Sequence, residues 1–197
     1  MTPNGRFRLL VVGVGGQGVL SVARVLGEAA LAEGKPVVLG QLHGMSQRGG
    51  SVESTVVIGP GYSSFIGPAA ADALLALEPI EALRAVPRLS RRARVVISTG
   101  KVPPFTLAQK GLPYPDLSGM LSALREATCE VVTLDGPAIA RAAGSSRSLN
   151  LVMLGALAAL QILPLDPQSI VRVVESACPG GPAGRRAFAL GMKAVSP

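Results

Sequence analysis

The chain has 197 residues, of which 48% are hydrophobic and 16% are charged, and its formal net charge is +7. This composition excludes intrinsic disorder and predicts a single globular domain over residues 1–197. The positive charge suits an anionic cofactor or an acidic partner, whereas aromatic residues at only 3% disfavour nucleic acid binding by base stacking. The first eight residues are polar and no apolar run is long enough to span a membrane, so we expect a cytoplasmic protein.

The first half of the chain alternates short apolar runs with segments of helical periodicity. Strands are predicted at residues 7–12, 36–40, 52–58, 73–77 and 94–98. Helices are predicted over residues 18–33 and 79–90, and Gly34 ends the first because glycine readily adopts the left-handed conformation of a helix end. This alternation is typical of a parallel sheet connected by helices.

The second half becomes progressively helical. Residues 100–118 are rich in Pro and Gly and predict a surface excursion, followed by a helix at 120–127, a strand at 130–134 and a helix at 137–143. Asn150 is predicted to cap a helix to 162, Asp166 and Pro167 open another to 176, and a loop at 179–184 precedes a last helix. The sequence therefore predicts an α/β fold with an open, mostly parallel, Rossmann-like sheet, helices on both faces and a helical C-terminal third at about 150–197.

A glycine motif follows the first predicted strand and opens the first predicted helix. It fits G-x-G-x-x-G, and the candidate cofactor-binding residues in it are Gly13, Gly15, Gly16, Gln17 and Gly18. Glycines let a backbone approach an anion closely, and a helix N-terminus directs free N–H groups at it. The alternative is that these glycines only make a tight turn between strand and helix.

The acidic residue that a nicotinamide cofactor requires is missing. That residue binds the ribose hydroxyls near the end of the second strand, where this chain has Gly40 and Gln41, and Glu33 comes too early. The motif therefore argues against a free-standing NAD-dependent dehydrogenase, although a stand-alone nucleotide- or dinucleotide-binding regulatory module stays open.

A second glycine-rich stretch, residues 40–50, follows the second predicted strand. It contains the single histidine, His43, which is a candidate proton carrier or donor to an anion, or else a loop residue bonded to backbone. Arg48 is either a planar fork for phosphate or carboxylate or an ordinary surface ion-pair residue. Gln47, Gly49 and Gly50 flank it, and glycine amides there could join it in binding. We expect the two glycine loops to build one anion-binding crevice.

Metal sites are not indicated. The two cysteines, Cys129 and Cys178, lack iron–sulfur or zinc spacing, and the context of Asp135 does not fit a metal–diphosphate motif. A basic cluster at 88–94 is either a solvated helix end or a docking patch for an acidic protein.

The two glycine loops together resemble the γ-type subunit or domain of 2-oxoacid:ferredoxin oxidoreductases, and most closely the β subunit of the indolepyruvate-specific members. The match rests on residues 13–18, Gly-Val-Gly-Gly-Gln-Gly, and on residues 43–52, His-Gly-Met-Ser-Gln-Arg-Gly-Gly-Ser-Val. Segments 71–78, 150–155 and 187–191 support it, so the resemblance spans nearly the whole chain. An acidic residue often precedes the family's histidine by two positions. Gln41 stands there instead, which leaves substrate preference open.

The resemblance implies an activity shared with partner subunits. The family's enzymes convert a 2-oxoacid, coenzyme A and oxidised ferredoxin into an acyl-coenzyme A, carbon dioxide and reduced ferredoxin. It also implies that no cofactor is held tightly by this chain alone, because thiamine diphosphate, Mg and the iron–sulfur clusters would lie on a larger partner subunit. Within such a complex, His43 and Arg48 would be the catalytic-site residues contributed by this chain, with the glycine-loop residues binding the cofactor or cosubstrate.

Overall fold

A computed structural model describes residues 5–44, 49–104, 107, 109–177 and 181–195. Its strands are β1 (Phe7–Val14), β2 (Val37–His43), β3 (Ser51–Ile58), β4 (Ala71–Ala76), β5 (Leu89–Ser98) and β6 (Glu130–Leu134). Its helices are α1 (Val19–Ala32), α2 (Pro79–Ala85), α3 (Leu117–Ala127), α4 (Gly136–Ala142), α5 (Leu149–Ala159), α6 (Pro167–Ala177) and α7 (Gly181–Lys193). None of the helices in these ranges is both long and apolar enough to cross a membrane.

The six strands form one open sheet in the order β2-β3-β1-β4-β5-β6. The neighbours β1, β4, β5 and β6 pair in parallel, whereas β3 is antiparallel to both β1 and β2. Among the described strands only β3 is therefore reversed. The predicted α/β fold with a mostly parallel sheet is confirmed.

Alternate residues along the strands bury into two separate cores, one on each face of the sheet. Leu9 and Val11 pack with residues of α1, α5, α6 and α7, while Leu10 and Val12 pack with residues of α2 and α3. This follows from the period of two along a strand, which sends successive side chains to opposite faces. The prediction of helices on both faces holds, and the C-terminal third is helical as expected.

The helices after β1 and β4 leave the sheet on opposite faces. These two strands are parallel neighbours, with Leu10 opposite Leu74, yet α1 covers the first face and α2 covers the second. An open α/β sheet splits into a crevice where adjacent strands send their connections to opposite sides, and ligands bind there. The crevice lies at the loops after Val14 and Ala76.

Several predicted boundaries in the first part of the chain differ from the structure. β2 continues past Gly40 to His43, so Gly40 lies inside the strand, where a Cβ would come within 2.5 Å of the hydroxyls of Ser64 and Thr55. The helix predicted to reach Ser90 ends at Ala85, because Pro87 has no N–H to continue the helical ladder. Strand β5 then starts at Leu89, five residues earlier than predicted.

Two predicted boundaries in the C-terminal third were also wrong. Ser148 is the N-cap of α5, and Asn150 lies within its first turn instead of capping it. The helix α7 begins at Gly181, whereas a loop was predicted through Gly184. A short 3₁₀ turn over Ser146–Ser148 precedes α5 and accounts for the first shift. The second arises because Gly184 is buried within a helix that packs against the core.

Helices α5 and α7 pack with their backbones in contact. A Cβ on Gly155 would lie 2.1 Å from the carbonyl oxygen of Phe188, and a Cβ on Gly191 would lie 1.9 Å from that of Val152. Both distances are far below van der Waals contact, so only glycine fits at either position. The two glycines therefore set the close approach of these helices.

Candidate functional site

The glycine loop, defined as Gly15–Gly18, connects the end of β1 to the start of α1. Gly16 has φ +99° and Gly18 has φ +86°, a left-handed conformation that favours glycine. No atom of the residues that the structure describes lies within 4 Å of a Cβ built on Gly16. Gly13 is different, because a Cβ there would lie 2.8 Å from Oε1 of Gln17 and 3.1 Å from Cβ of Leu77. Gly13 thus allows tight packing below the loop, and Gly16 and Gly18 shape its exposed surface.

The side chain of Gln17 joins the two strand ends that form the crevice. Its Oε1 accepts a hydrogen bond of 2.7 Å from the Val14 N–H, and its Nε2 donates one of 3.1 Å to the Leu77 carbonyl. The Leu77 N–H in turn donates to the Val12 carbonyl at 2.9 Å. The described contacts of Gln17 are therefore with the sheet edge, where they fix the shape of the loop.

The backbone amides of the glycine loop divide into bonded and unbonded groups. Gly15 N–H donates to the Gly50 carbonyl at 2.8 Å, and Gln17 N–H donates to the Val14 carbonyl at 3.0 Å. No hydrogen bond between described residues uses the amides of Gly16 or Gly18. The N-cap of α1 has no side-chain hydrogen bond and its first turn carries no acid. The loop therefore presents unpaired N–H groups and the positive end of a 14-residue helix.

The second glycine stretch meets the first through the start of β3. Gly50 accepts the hydrogen bond from Gly15, and Ser51 pairs with Val14 in the sheet. Gly49 has φ +76°, and no atom of the described residues lies within 4 Å of its Cβ position. The structure thus brings Gly49 and Gly50 to the glycine loop, at the antiparallel strand that lies between β2 and β1. The predicted residues Gln47 and Arg48 belong to 45–48, outside the described residues.

His43 is the last residue of β2 and is exposed. Its Nδ1 lies 3.1 Å from the Gly44 carbonyl oxygen, which can only accept, so this contact requires a proton on Nδ1. That tautomer leaves Nε2 as an acceptor in the neutral ring and as a donor in the charged ring. The backbone contact was one of the two roles expected from the sequence, and it orients the ring without using Nε2.

His43 and the glycine loop line one cavity, which we call the His43 cleft. Its volume is about 440 Å³, and its lining includes Gly16, Gly18, Ser21, His43 and Val52. An imidazole, unpaired amides and the start of a helix therefore face the same space. This arrangement can bind an anionic group and donate hydrogen bonds to it.

Two buried carboxylates, those of Glu78 and Glu81, form hydrogen bonds beside the crevice. Glu78 is fully buried and caps α2, where its Oε2 accepts from the N–H groups of Ile80 at 2.7 Å and Glu81 at 3.2 Å. Glu81 is 4% exposed and accepts a hydrogen bond of 2.5 Å from the Ser51 hydroxyl. No role for Glu81 is predicted from the sequence. Its place in the first turn after Pro79, at the carboxyl end of a parallel strand, was the available signal.

Glu78 also forms hydrogen bonds with the surface excursion, which in the structure lies between β5 and α3. Its Oε1 accepts from the Val102 N–H at 3.2 Å and from the Tyr114 hydroxyl. Burial, and then this bond to the Glu78 carboxylate, raise the pKa of the Tyr114 hydroxyl above its usual value. The Lys101 ammonium lies 5.4 Å from the centre of the Tyr114 ring. The excursion is thus held against the start of α2 by a charged hydrogen bond.

In the basic cluster at 88–94, Arg88 ends a 3₁₀ helix, Val86–Arg88, that follows α2, while Arg91, Arg92 and Arg94 lie on β5 at the amino end of the sheet. Arg88 pairs with Glu53, Arg94 pairs with Glu130, and Arg91 donates to the Glu126 carbonyl at 3.1 Å. These pairs neutralise much of its charge. Across the residues that the structure describes, no group of three or more His, Cys, Asp or Glu could hold a metal ion.

Comparison with known sequences identifies relatives along nearly the full chain. The model of the family "Pyruvate ferredoxin/flavodoxin oxidoreductase" matches residues 8–194. The indolepyruvate oxidoreductase subunit IorB of Methanothermobacter thermautotrophicus is 42% identical over 165 residues, which cover 84% of each chain. The chain is thus similar in both sequence and length to subunits of oxidoreductases.

Comparison with solved structures finds the same fold. The γ subunit of a keto/oxoacid ferredoxin oxidoreductase from Geobacter sulfurreducens superposes with a TM-score of 0.69 at 25% identity, covering 95% of this chain and 96% of that one. The 2-oxoglutarate:ferredoxin oxidoreductase from Magnetococcus marinus, solved with 2-oxoglutarate, coenzyme A and succinyl-CoA, gives a TM-score of 0.68 at 18% identity. There the match covers 98% of this chain but 32% of the longer one, so the fold occurs both as a separate subunit and within a larger polypeptide.

Proposed function

The chain belongs to the pyruvate ferredoxin/flavodoxin oxidoreductase family, and from this premise we propose that it is one subunit of a 2-oxoacid:ferredoxin oxidoreductase complex. The complex is an oxidoreductase that acts on the oxo group of its donor and uses an iron–sulfur protein as acceptor. The substrate is an aromatic 2-oxoacid of the indolepyruvate type, by analogy with the relative from Methanothermobacter. The whole chain acts as one γ-type domain, and it is inactive alone.

The reaction is the oxidative decarboxylation of the 2-oxoacid. The bond between the carboxylate carbon and the oxo carbon breaks, carbon dioxide leaves, and the acyl group passes to the sulfur of coenzyme A. Two electrons pass in single steps to ferredoxin. Both the 2-oxoacid and coenzyme A are anions, so a subunit without its own redox group can still contribute by binding them.

The single observation that carries the proposal is the shared wall of the His43 cleft. Unpaired amides of Gly16 and Gly18, the start of α1 and the ring of His43 face one space of about 440 Å³. Arg48, two residues before Gly50 in the sequence, would add a guanidinium to the same anion. We infer that the bound group is a substrate carboxylate or a phosphate of coenzyme A, with His43 as an orienting donor through Nε2 when both ring nitrogens carry a proton.

The donor set of this chain does not fit the redox cofactors. An iron–sulfur cluster takes about four cysteine thiolates, whereas the sequence has two cysteines, of which Cys129 is a free thiol in the structure. Asp135, considered above as part of a metal–diphosphate motif, instead caps α4 through the Ala138 N–H at 3.0 Å. We therefore assign thiamine diphosphate, Mg and the iron–sulfur clusters to a larger partner subunit.

Co-purification tests the proposal. A tagged copy of the chain, expressed in its native host, should retain a larger protein whose visible absorption reports iron–sulfur clusters and whose extract contains thiamine diphosphate. The isolated chain should then be titrated with NAD, FAD, ATP and coenzyme A. Tight binding of a dinucleotide without any retained partner would contradict the proposal and favour a stand-alone regulatory module.

A further inference from the structure

A second cavity lies on the other side of the glycine loop, and we call it the Arg147 cleft. It has a volume of about 300 Å³ and is lined by Gly16, Gly18 and Ser21 from the loop and α1, and by Ser145, Arg147 and Asn150 from the start of α5. It shares Gly16, Gly18 and Ser21 with the His43 cleft. The two cavities therefore flank the N-terminus of α1.

Asn150 is a buried amide without a partner. Its side chain is only 7% exposed, and it makes no hydrogen bond with any residue that the structure describes. Its Nδ2 would lie 2.7 Å from a Cβ built on Gly18, which places the amide directly over the N-cap of α1. A buried polar group that has no protein partner costs free energy unless a ligand or water satisfies it. The Asn150 amide, which lines the cleft, is therefore available to bond to an occupant.

The electrostatics of the Arg147 cleft favour an anion. Two helices of 14 and 11 residues begin there, and neither has a side-chain hydrogen bond at its N-cap or an acid in its first turn. Arg147 is exposed, and in the described part of the chain it forms no ion pair. The Arg186 guanidinium is close by, 4.0 Å from the Cβ position of Gly144. None of the described residues that line the cavity carries a carboxylate.

We propose that the Arg147 cleft is a phosphate-binding site, separate from the His43 cleft. Donors converge on it from several directions: amides at two helix starts, the Asn150 amide, serine hydroxyls and a guanidinium. A tetrahedral phosphate or a diphosphate can accept from all of them, whereas a carboxylate has only two oxygens. The site goes beyond the reaction proposed above, and it does not depend on which 2-oxoacid the complex uses.

Pyrophosphate binding to the full-length chain tests this site, with calorimetric titration as the measurement. Binding should saturate with one ligand per chain, and Arg147→Gln should weaken it by about tenfold, the scale for a lost charged hydrogen bond. Arg147→Gln changes an exposed side chain, so it leaves the fold intact. Arg141→Gln is the matched control, because Arg141 is exposed on α4 and lies outside the cleft lining. It should change the dissociation constant by less than about twofold.

Asn150→Ala should weaken pyrophosphate binding further, and its melting temperature shows whether the fold is kept. Absence of pyrophosphate binding to the wild-type chain would overturn the proposal. Equal weakening by Arg147→Gln and Arg141→Gln would also overturn it, as would binding lost in His43→Ala but kept in Arg147→Gln. Parallel titrations with ADP and coenzyme A identify the source of the phosphate. If ADP or coenzyme A binds more tightly than pyrophosphate, the ligand is a nucleotide. If they bind equally well, the ligand is a free diphosphate. Both outcomes support a phosphate site.

Discussion

Glycine serves opposite purposes in two regions of this molecule. In the glycine loop, Gly16 has a left-handed backbone and nothing within 4 Å of its Cβ position. In the contact between α5 and α7, Gly155 and Gly191 are helical, and a Cβ on either would strike a backbone carbonyl within 2.1 Å. The loop uses glycine for conformation and access, while the helix pair uses it for close packing.

Because of this difference, substitutions in the helix pair and in the glycine loop should affect different properties, stability in the first and binding in the second. Gly155 and Gly191 are buried where the two helices touch, so changes there act on folding. The loop keeps unpaired amides facing two cavities, so changes near it can alter binding while the fold survives.

Gly155→Val should give the largest loss of stability. The new side chain would collide with the Phe188 carbonyl and force α5 and α7 apart, at a cost of about 3 kcal/mol or more in the free energy of unfolding. Thermal unfolding of the isolated chain measures it. A melting temperature within about 2 °C of the wild type would show that the helices are not in backbone contact.

Arg48→Ala should act on activity and leave stability unchanged. Losing a charged contact of about 3 kcal/mol corresponds to a drop of about 10²-fold in kcat/KM of the assembled complex. The same change at Arg92, exposed at the amino end of the sheet, is the control and should leave kcat/KM unaffected. Unchanged kinetics in Arg48→Ala would remove this residue from the site.

Gly16→Ala tests the role of glycine in the loop, because it adds one methyl group where there is space. The strain of a left-handed alanine costs about 1 kcal/mol, so the variant should fold and melt slightly lower than the wild type. Gly155→Ala adds the same methyl group against a carbonyl and should cost clearly more. Equal losses in the two variants would contradict the distinction between the two regions.

Tyr114→Phe should have the smallest effect, which is a change in how the melting temperature depends on pH. The pKa of Tyr114 is raised in the folded state by burial and by the Glu78 carboxylate, so folding favours the protonated hydroxyl. That stabilisation is complete below the unfolded-state pKa of about 10 and is lost as the pH rises above it. Melting temperatures of the wild type should therefore fall more steeply above pH 10 than those of Tyr114→Phe. Parallel curves would contradict the assignment.

Much of the fold was predictable because apolar periodicity and glycine position were strong local signals. The strand β6 was predicted with its observed bounds, and Gly34 ends α1 as expected, with Lys35 and Gly34 donating to the carbonyls of Ala30 and Leu31. Boundaries failed where distant residues decided them. β2 continues past Gly40 because residues 41–43 pair with residues 52–54 of β3, and no local signal reports that pairing.

The candidate site was predictable in part. The sequence indicated both glycine stretches and His43, and the structure brings Gly16, Gly18 and His43 to one cavity. It did not indicate that Gln17 would bond to Leu77, sixty residues away, or that Asn150 would lie over Gly18. Both contacts depend on how the strands and helices are arranged in space, and the spacing of residues along the chain does not encode that arrangement.

Reconstitution measures most directly whether this polypeptide binds anions for a redox centre held by its partner. The purified chain, the purified larger subunit and their mixture should each be assayed for ferredoxin reduction with an aromatic 2-oxoacid and coenzyme A. We predict turnover in the mixture, and no 2-oxoacid-dependent reduction by the chain alone. Ferredoxin reduction by the isolated chain, or full activity of the larger subunit without it, would contradict this account.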